Sequence, residues 1–157
     1  MMHPVKLTDI IEGIDFQSDE GRSYLNTATG EVIYITDEEL RAAEEDEPLE
    51  DFPTWQQDNI RIAQAMLDTD DYLPLPTKFD IHEYRIMERF CDSVNDDDIR
   101  DDLCNAIRGR GAFRRFKDRV HAYGMAEVWY RYRDAALREI ALAWCEEHRI
   151  PYTETEG

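Results

Sequence analysis

Cysteine is scarce: Cys91, Cys104 and Cys145 are the only three, odd in number and far apart. That excludes a disulfide framework and reads as reduced thiols beside apolar helix positions, as expected for a cytoplasmic protein. No Cys-x-x-Cys and no clustered His pattern is present among four His, so no structural zinc site is expected. No apolar run approaches the ~20 residues that a membrane-spanning helix requires, and Met1–Lys6 lacks the basic start and apolar stretch of a signal peptide. Basic residues are few as well, 18 Lys and Arg against 36 Asp and Glu, a net charge of -18. Such acidity opposes non-specific adhesion to nucleic acid or anionic lipid, so any contact with a polyanion must be local. Also missing are a phosphate-binding glycine loop, a dinucleotide fingerprint, a nucleophile elbow and a metalloprotease helix. Ser18, Ser23 and Ser93 stand without a nearby His pattern. The sequence therefore predicts no cofactor, no metal and no catalytic residue.

What is present is enough apolar material for a core. Hydrophobic residues make up 42% of the 157, with six Phe, eight Tyr and three Trp spread along the chain, which argues for one folded domain over residues 1–157. Leu7, Ile10, Ile11 and Ile14 fall at helical spacing and predict a helix over 8–16. Ser23–Asn26 and Glu31–Ile35 flank Thr27-Ala28-Thr29-Gly30, a hairpin signal. From residue 36 the pattern is helical. Thr36 with Glu39 and Thr54 with Gln57 match the capping-box spacing and predict helices over 37–46 and 54–68, joined by the acidic connector Glu44–Pro53. Pro74 and Pro76 mark a break, after which Asp80 is placed as the cap of a helix with Ile81, Tyr84, Met87, Phe90, Cys91 and Val94 on its apolar stripe. Asp96 to Asp98 open another helix that Gly109 ends. Phe113, Phe116, Val120 and Tyr123 give the next helix an apolar face, Gly124 closes it, and a final helix runs over about 126–148. The predicted fold is α+β and mainly α: an N-terminal helix and β-hairpin (7–36) packed on a bundle of about six helices (37–150), with a flexible tail at 151–157.

One segment departs from the acidic background. Between Arg108 and Arg119 there are six basic residues against Asp118 alone. Gly109 and Gly111 can adopt conformations closed to other residues, and Gly111 stands just before a helix whose first amides are unpaired. With Arg110, Arg114, Arg115 and Lys117 nearby, these features suit a phosphate or carboxylate. A plainer account needs no ligand: Gly109 caps one helix, Gly111 permits the turn, and the arginines neutralise neighbouring acids. A second basic segment repeats the pattern of the first. Phe113-Arg114-Arg115-Phe116-Lys117-Asp118 and Trp129-Tyr130-Arg131-Tyr132-Arg133-Asp134 share aromatics at their first and fourth positions and bases at the third and fifth. Arg115, Lys117, Arg131 and Arg133 would form one cationic surface if the two helices pack antiparallel. Arginine beside exposed aromatic faces is chemistry used for stacked bases and phosphates.

These residues also carry a resemblance. Tyr24-Leu25-Asn26 with Thr29-Gly30-Glu31-Val32, the run Tyr84–Phe90, the run Gly109-Arg110-Gly111-Ala112-Phe113-Arg114-Arg115-Phe116-Lys117-Asp118, and Trp129–Asp134 together resemble an uncharacterised bacterial protein family, one of the numbered groups of that description. The resemblance implies a single bacterial domain and brings no activity, substrate or catalytic residue.

Two further features have functional alternatives. Asp37–Asp51 holds nine acids and one base, Arg41. It reads first as a solvated helix face and linker, and second as a surface (Glu44, Glu45, Asp46, Glu47) for docking on a basic protein. His121, three residues after Asp118, is the His closest to the basic segment, and would serve a phosphate-handling enzyme as a general base. Asp92 and Asn95–Asp98 lack the Gly and terminal Glu of a calcium loop. The expectation is a non-catalytic binding protein that engages an anionic partner, RNA or an acidic protein surface, through Arg110, Gly111, Arg114, Arg115, Lys117, Arg131 and Arg133.

Overall fold

The computed structural model describes residues 3–154, and the fold is α+β and mainly α. The elements in order are β1 (Val5–Lys6), α1 (Leu7–Phe16), β2 (Gly21–Asn26), β3 (Glu31–Thr36), α2 (Asp37–Glu44), α3 (Thr54–Asp68), β4 (Tyr72–Pro74), α4 (Lys78–Ile81), α5 (Glu83–Ser93), α6 (Asp97–Ala106), α7 (Ala112–Ala122), α8 (Ala126–Glu147) and β5 (Tyr152–Thr153). The chain divides into two compact units, residues 1–80 with 141–157 and residues 81–140, so the division falls within α8.

In the first unit β2 and β3 form the expected antiparallel hairpin, with Ser23 opposite Tyr34 and Leu25 opposite Val32. A third strand joins it where the prolines suggested only a break: Tyr72–Pro74 pairs antiparallel with Tyr24–Asn26, giving the order β3-β2-β4. Proline is tolerated there because β4 is an edge strand. The expected tail is also partly ordered, for Tyr152–Thr153 lies parallel to Val5–Lys6; residues 155–157 lie outside the described ones.

One face of the sheet receives α1, which buries Leu7, Ile10, Gly13 and Ile14. The approach at Gly13 is close: a Cβ there would come within 2.7 Å of both Leu75 Cδ1 and Val32 Cγ1. Gln17 ties the end of α1 to its surroundings, accepting from the Ser23 amide at 2.9 Å and donating to the Pro76 carbonyl at 2.6 Å. The opposite face carries Ile33 and Ile35, which pack with Ala42, Ala43, Ile60 and Ala63 of α2 and α3. Both helices therefore belong with the sheet.

Helix α2 starts as its sequence predicts. The Thr36 hydroxyl accepts from the Glu39 amide at 3.1 Å, and the Glu39 carboxylate accepts from the Thr36 amide at 3.0 Å. Glu39 is buried and also accepts from Asn59 of α3 at 3.1 Å, so the cap links the two helices. Thr36→Ala is expected to cost about 1 kcal/mol, read as a lower urea midpoint with an unchanged slope. The same spacing at Thr54 and Gln57 makes no cap. Pro53 holds the N-cap position without a side-chain bond, Thr54 is already helical, and Gln57 donates to the Phe52 carbonyl instead.

Asp80 is likewise not the start of a helix. Thr77 and Asp80 cap each other reciprocally at 3.2 and 3.0 Å, opening the single turn α4. His82 then takes a left-handed conformation (φ 51°) and α5 begins after it.

The second unit assembles α5, α6, α7 and the first part of α8 around a core of its own. Phe90, Phe116 and Trp129 meet edge-to-face, with Phe116 and Trp129 ring centroids 4.8 Å apart and Phe90 and Trp129 5.3 Å apart. Met87, Leu103 and Val120 are buried around them. Asp96 caps α6, accepting from the Ile99 amide at 3.1 Å, as its place before the helix requires. Tyr84, expected inward, is partly exposed, and its hydroxyl donates to the Ile107 carbonyl at 2.8 Å.

Candidate functional site

The basic segment begins at the connection between α6 and α7. Gly109 and Gly111 both have positive φ, 77° and 73°, and Gly111 occupies the N-cap of α7 without a side-chain cap. A chain reversed this tightly leaves carbonyl groups without helical partners. Arg115 satisfies them. Its Nε donates to the Ala106 carbonyl at 3.0 Å, and its two terminal nitrogens donate to the carbonyls of Arg108 and Arg110. The planar guanidinium has the fork of donors this arrangement needs. Arg115 is therefore the latch of the α6–α7 connection.

Helical geometry sorts the remaining side chains of α7. At 3.6 residues per turn, Ala112, Phe116 and Val120 share the buried face. Arg115 and Arg119 lie on one flank, where Arg119 is 3.7 Å from Asp102 of α6. Tyr123, after the helix, donates to the same carboxylate at 2.5 Å. Phe113, Arg114, Lys117 and His121 fall on the opposite flank and the outer side, and all four are exposed. Phe113 thus corrects the expected apolar face: it is 46% exposed, and the smaller Ala112 takes the inward position. Tyr123, also expected inward, is 39% exposed. Among the described residues Arg110, Arg114 and Lys117 form no ion pair.

The surface expected from the repeated template does not assemble. Arg133, whose side chain is only 13% exposed, donates through Nε to Glu83 of α5 at 2.7 Å. Arg131 points outward on α8 and lies 3.6 Å from Glu127, one turn earlier. Two residues along a helix rotate a side chain by more than half a turn, which separates them. Of the seven expected binding residues, Arg110, Gly111, Arg114 and Lys117 are accessible in one stretch, Arg131 stands exposed on another helix, and Arg115 and Arg133 are engaged internally. Phe113 is the contributor that spacing concealed, because the series 112/116/120 and 113/116/120 fit an apolar stripe equally well.

Burial, with the neighbouring Cys104 thiol, pushes Cys91 up to about 12, and burial pushes Cys145 up to about 11. Among the described residues no three His, Cys, Asp or Glu side chains are grouped to hold a metal ion. No helix among them is long and apolar enough to cross a membrane.

Comparison with known proteins adds a family. The chain is 30% identical over 132 residues to UPF0158 protein PA5073 of Pseudomonas aeruginosa, an overlap covering 81% of this chain and 72% of that protein. No solved structure shows a significant match to it. The model of the uncharacterised protein family UPF0158 matches residues 2–156, and the chain belongs to that family.

Proposed function

We propose that this chain is a non-catalytic binding protein that engages single-stranded RNA through the outer face of α7. The observation that supports it is the division of the basic segment into two flanks. Arg115 and Arg119 hold the protein together, while Arg114 and Lys117, with Arg110 before them, are exposed and unpaired among the described residues beside exposed Phe113. In a chain of net charge -18, cations that serve only internal neutralisation would be expected against acids. A helix face offering two bases, an aromatic ring and an imidazole suits phosphates spaced along a strand and a base stacked on the ring.

The test is fluorescence anisotropy with labelled single-stranded RNA at low and high salt. The wild type is expected to bind at low salt and release as salt rises. Arg114→Glu with Lys117→Glu, confirmed folded by circular dichroism, is expected to bind at least about tenfold more weakly, because two phosphate contacts become repulsions. No binding by the wild type at low salt, where attraction is greatest, would discard the reading.

A further inference from the structure

The first unit carries a feature of opposite charge. Between α1 and β3 lies a groove of about 500 Å³. Its apolar wall includes Val32 and Phe16, and Phe16 is held edge-on against Tyr34 at 4.8 Å. Asp9, Glu12 and Glu31 also line it, and among the described residues no basic one does. Elsewhere acids such as Asp58, Asp97 and Glu83 have arginine partners, whereas among the described residues Asp9, Glu12 and Glu31 form no ion pair.

The groove runs beside a free sheet edge. In an antiparallel strand the N–H and C=O of one residue point to the same side, and successive residues alternate. The Ser23 carbonyl accepts from the Leu75 amide, so the backbone groups of Ser23 face the β4 side. Tyr34, opposite Ser23, is then in a non-hydrogen-bonded pair, and its N–H and C=O point away from β2. Val32, opposite Leu25, follows by alternation. β3 is the outer strand of the order β3-β2-β4, and no backbone hydrogen bond from Val32 or Tyr34 to another element occurs among the described residues.

We propose that this edge and groove form a docking site for an extended, basic segment of a partner protein. The segment adds a fourth strand beside β3, pairing with the backbone of Val32 and Tyr34. Because strand side chains alternate between faces, lysines or arginines at every second position turn toward Asp9 and Glu12 while the intervening residues face away. Backbone pairing supplies the affinity of such strand addition, and the side-chain pattern supplies its selectivity. The Asp9 and Glu12 carboxylates specify a cationic segment and repel acidic ones.

The experiment uses the full chain and a fluorescein-labelled peptide alternating lysine and valine, read by anisotropy. A second peptide of the same sequence carries N-methyl groups on the alternate backbone amides that face β3, which abolishes edge pairing while keeping every charge. The first peptide is expected to bind, and the N-methylated one to bind at least about tenfold more weakly, since main-chain bonds carry the affinity. Asp9→Asn with Glu12→Gln is expected to weaken the first peptide by a similar factor. Glu44→Gln with Glu45→Gln, in the acidic connector, is expected to leave it unchanged. Equal binding of the two peptides, or equal loss from both charge variants, would mean general attraction to an acidic chain and would overturn the proposal. A dimer that the Asp9/Glu12 variant breaks, with no peptide bound by the wild type, would assign the edge to a second copy and overturn it equally.

Discussion

Arg115→Ala is expected to lower the thermal midpoint by roughly 4–12 °C, corresponding to a loss of about 2–3 kcal/mol in a chain of this size. The side chain donates to three carbonyls of the α6–α7 connection, at Ala106, Arg108 and Arg110. Hydrogen bonds from a charged donor contribute more than neutral ones, but the site is half-open to water, which re-solvates part of what is lost. The expected loss is accordingly below that of three full charge-assisted bonds. Arg115→Lys should recover less than half, because an ammonium cannot reproduce the planar fork. Arg114→Ala, next along the helix and exposed, should shift stability by no more than about 0.5 kcal/mol. Differential scanning calorimetry on the three variants checks the set. A midpoint for Arg115→Ala equal to that of Arg114→Ala would show that the latch carries no stability.

Adjacent arginines with opposite duties illustrate what a sequence can and cannot reveal. Gly109 and Gly111 are legible as a turn, since each occupies a left-handed conformation that other residues resist. The partner of Arg115 is not, because a long flexible side chain has no fixed address until tertiary geometry presents an acceptor. The same holds for Arg133, whose partner Glu83 lies at the start of α5, fifty residues earlier. Capping was readable where local chemistry decides it, as at Thr36 and Asp96, and failed at Thr54, where Pro53 had already claimed the boundary. Strands β1, β4 and β5 have only two or three residues each, too few to produce a periodic signal. Their existence depends on neighbours distant in sequence. The acidic groove is not legible in the sequence for a related reason. Asp9 and Glu12 are ordinary surface residues of a helix until the hairpin brings Glu31 and Tyr34 alongside.

Phe116→Ala should have the largest effect on stability, about 3–5 kcal/mol, because it empties the centre of the second unit's core. The ring is fully buried and meets Trp129 edge-on at 4.8 Å and Phe90 at 6.0 Å. Removing it leaves a cavity that rigid aromatic neighbours cannot readily fill, and forfeits ring contacts beyond the area they bury. Against a typical total stability of roughly 5–15 kcal/mol, the loss places the variant near its unfolding threshold. Phe116→Leu retains most of the apolar volume and should cost less than half as much. Urea unfolding followed by tryptophan emission measures both, with Trp129 lying against the altered site. Near-wild-type stability for Phe116→Ala would mean that α7 is not seated by this ring, contrary to its burial. The variant also separates stability from binding. Arg114→Glu with Lys117→Glu should weaken RNA binding at an unchanged midpoint. Phe116→Ala should lower the midpoint first and reduce binding only as α7 loses its seat, so binding should recover on cooling, as far as the fold does.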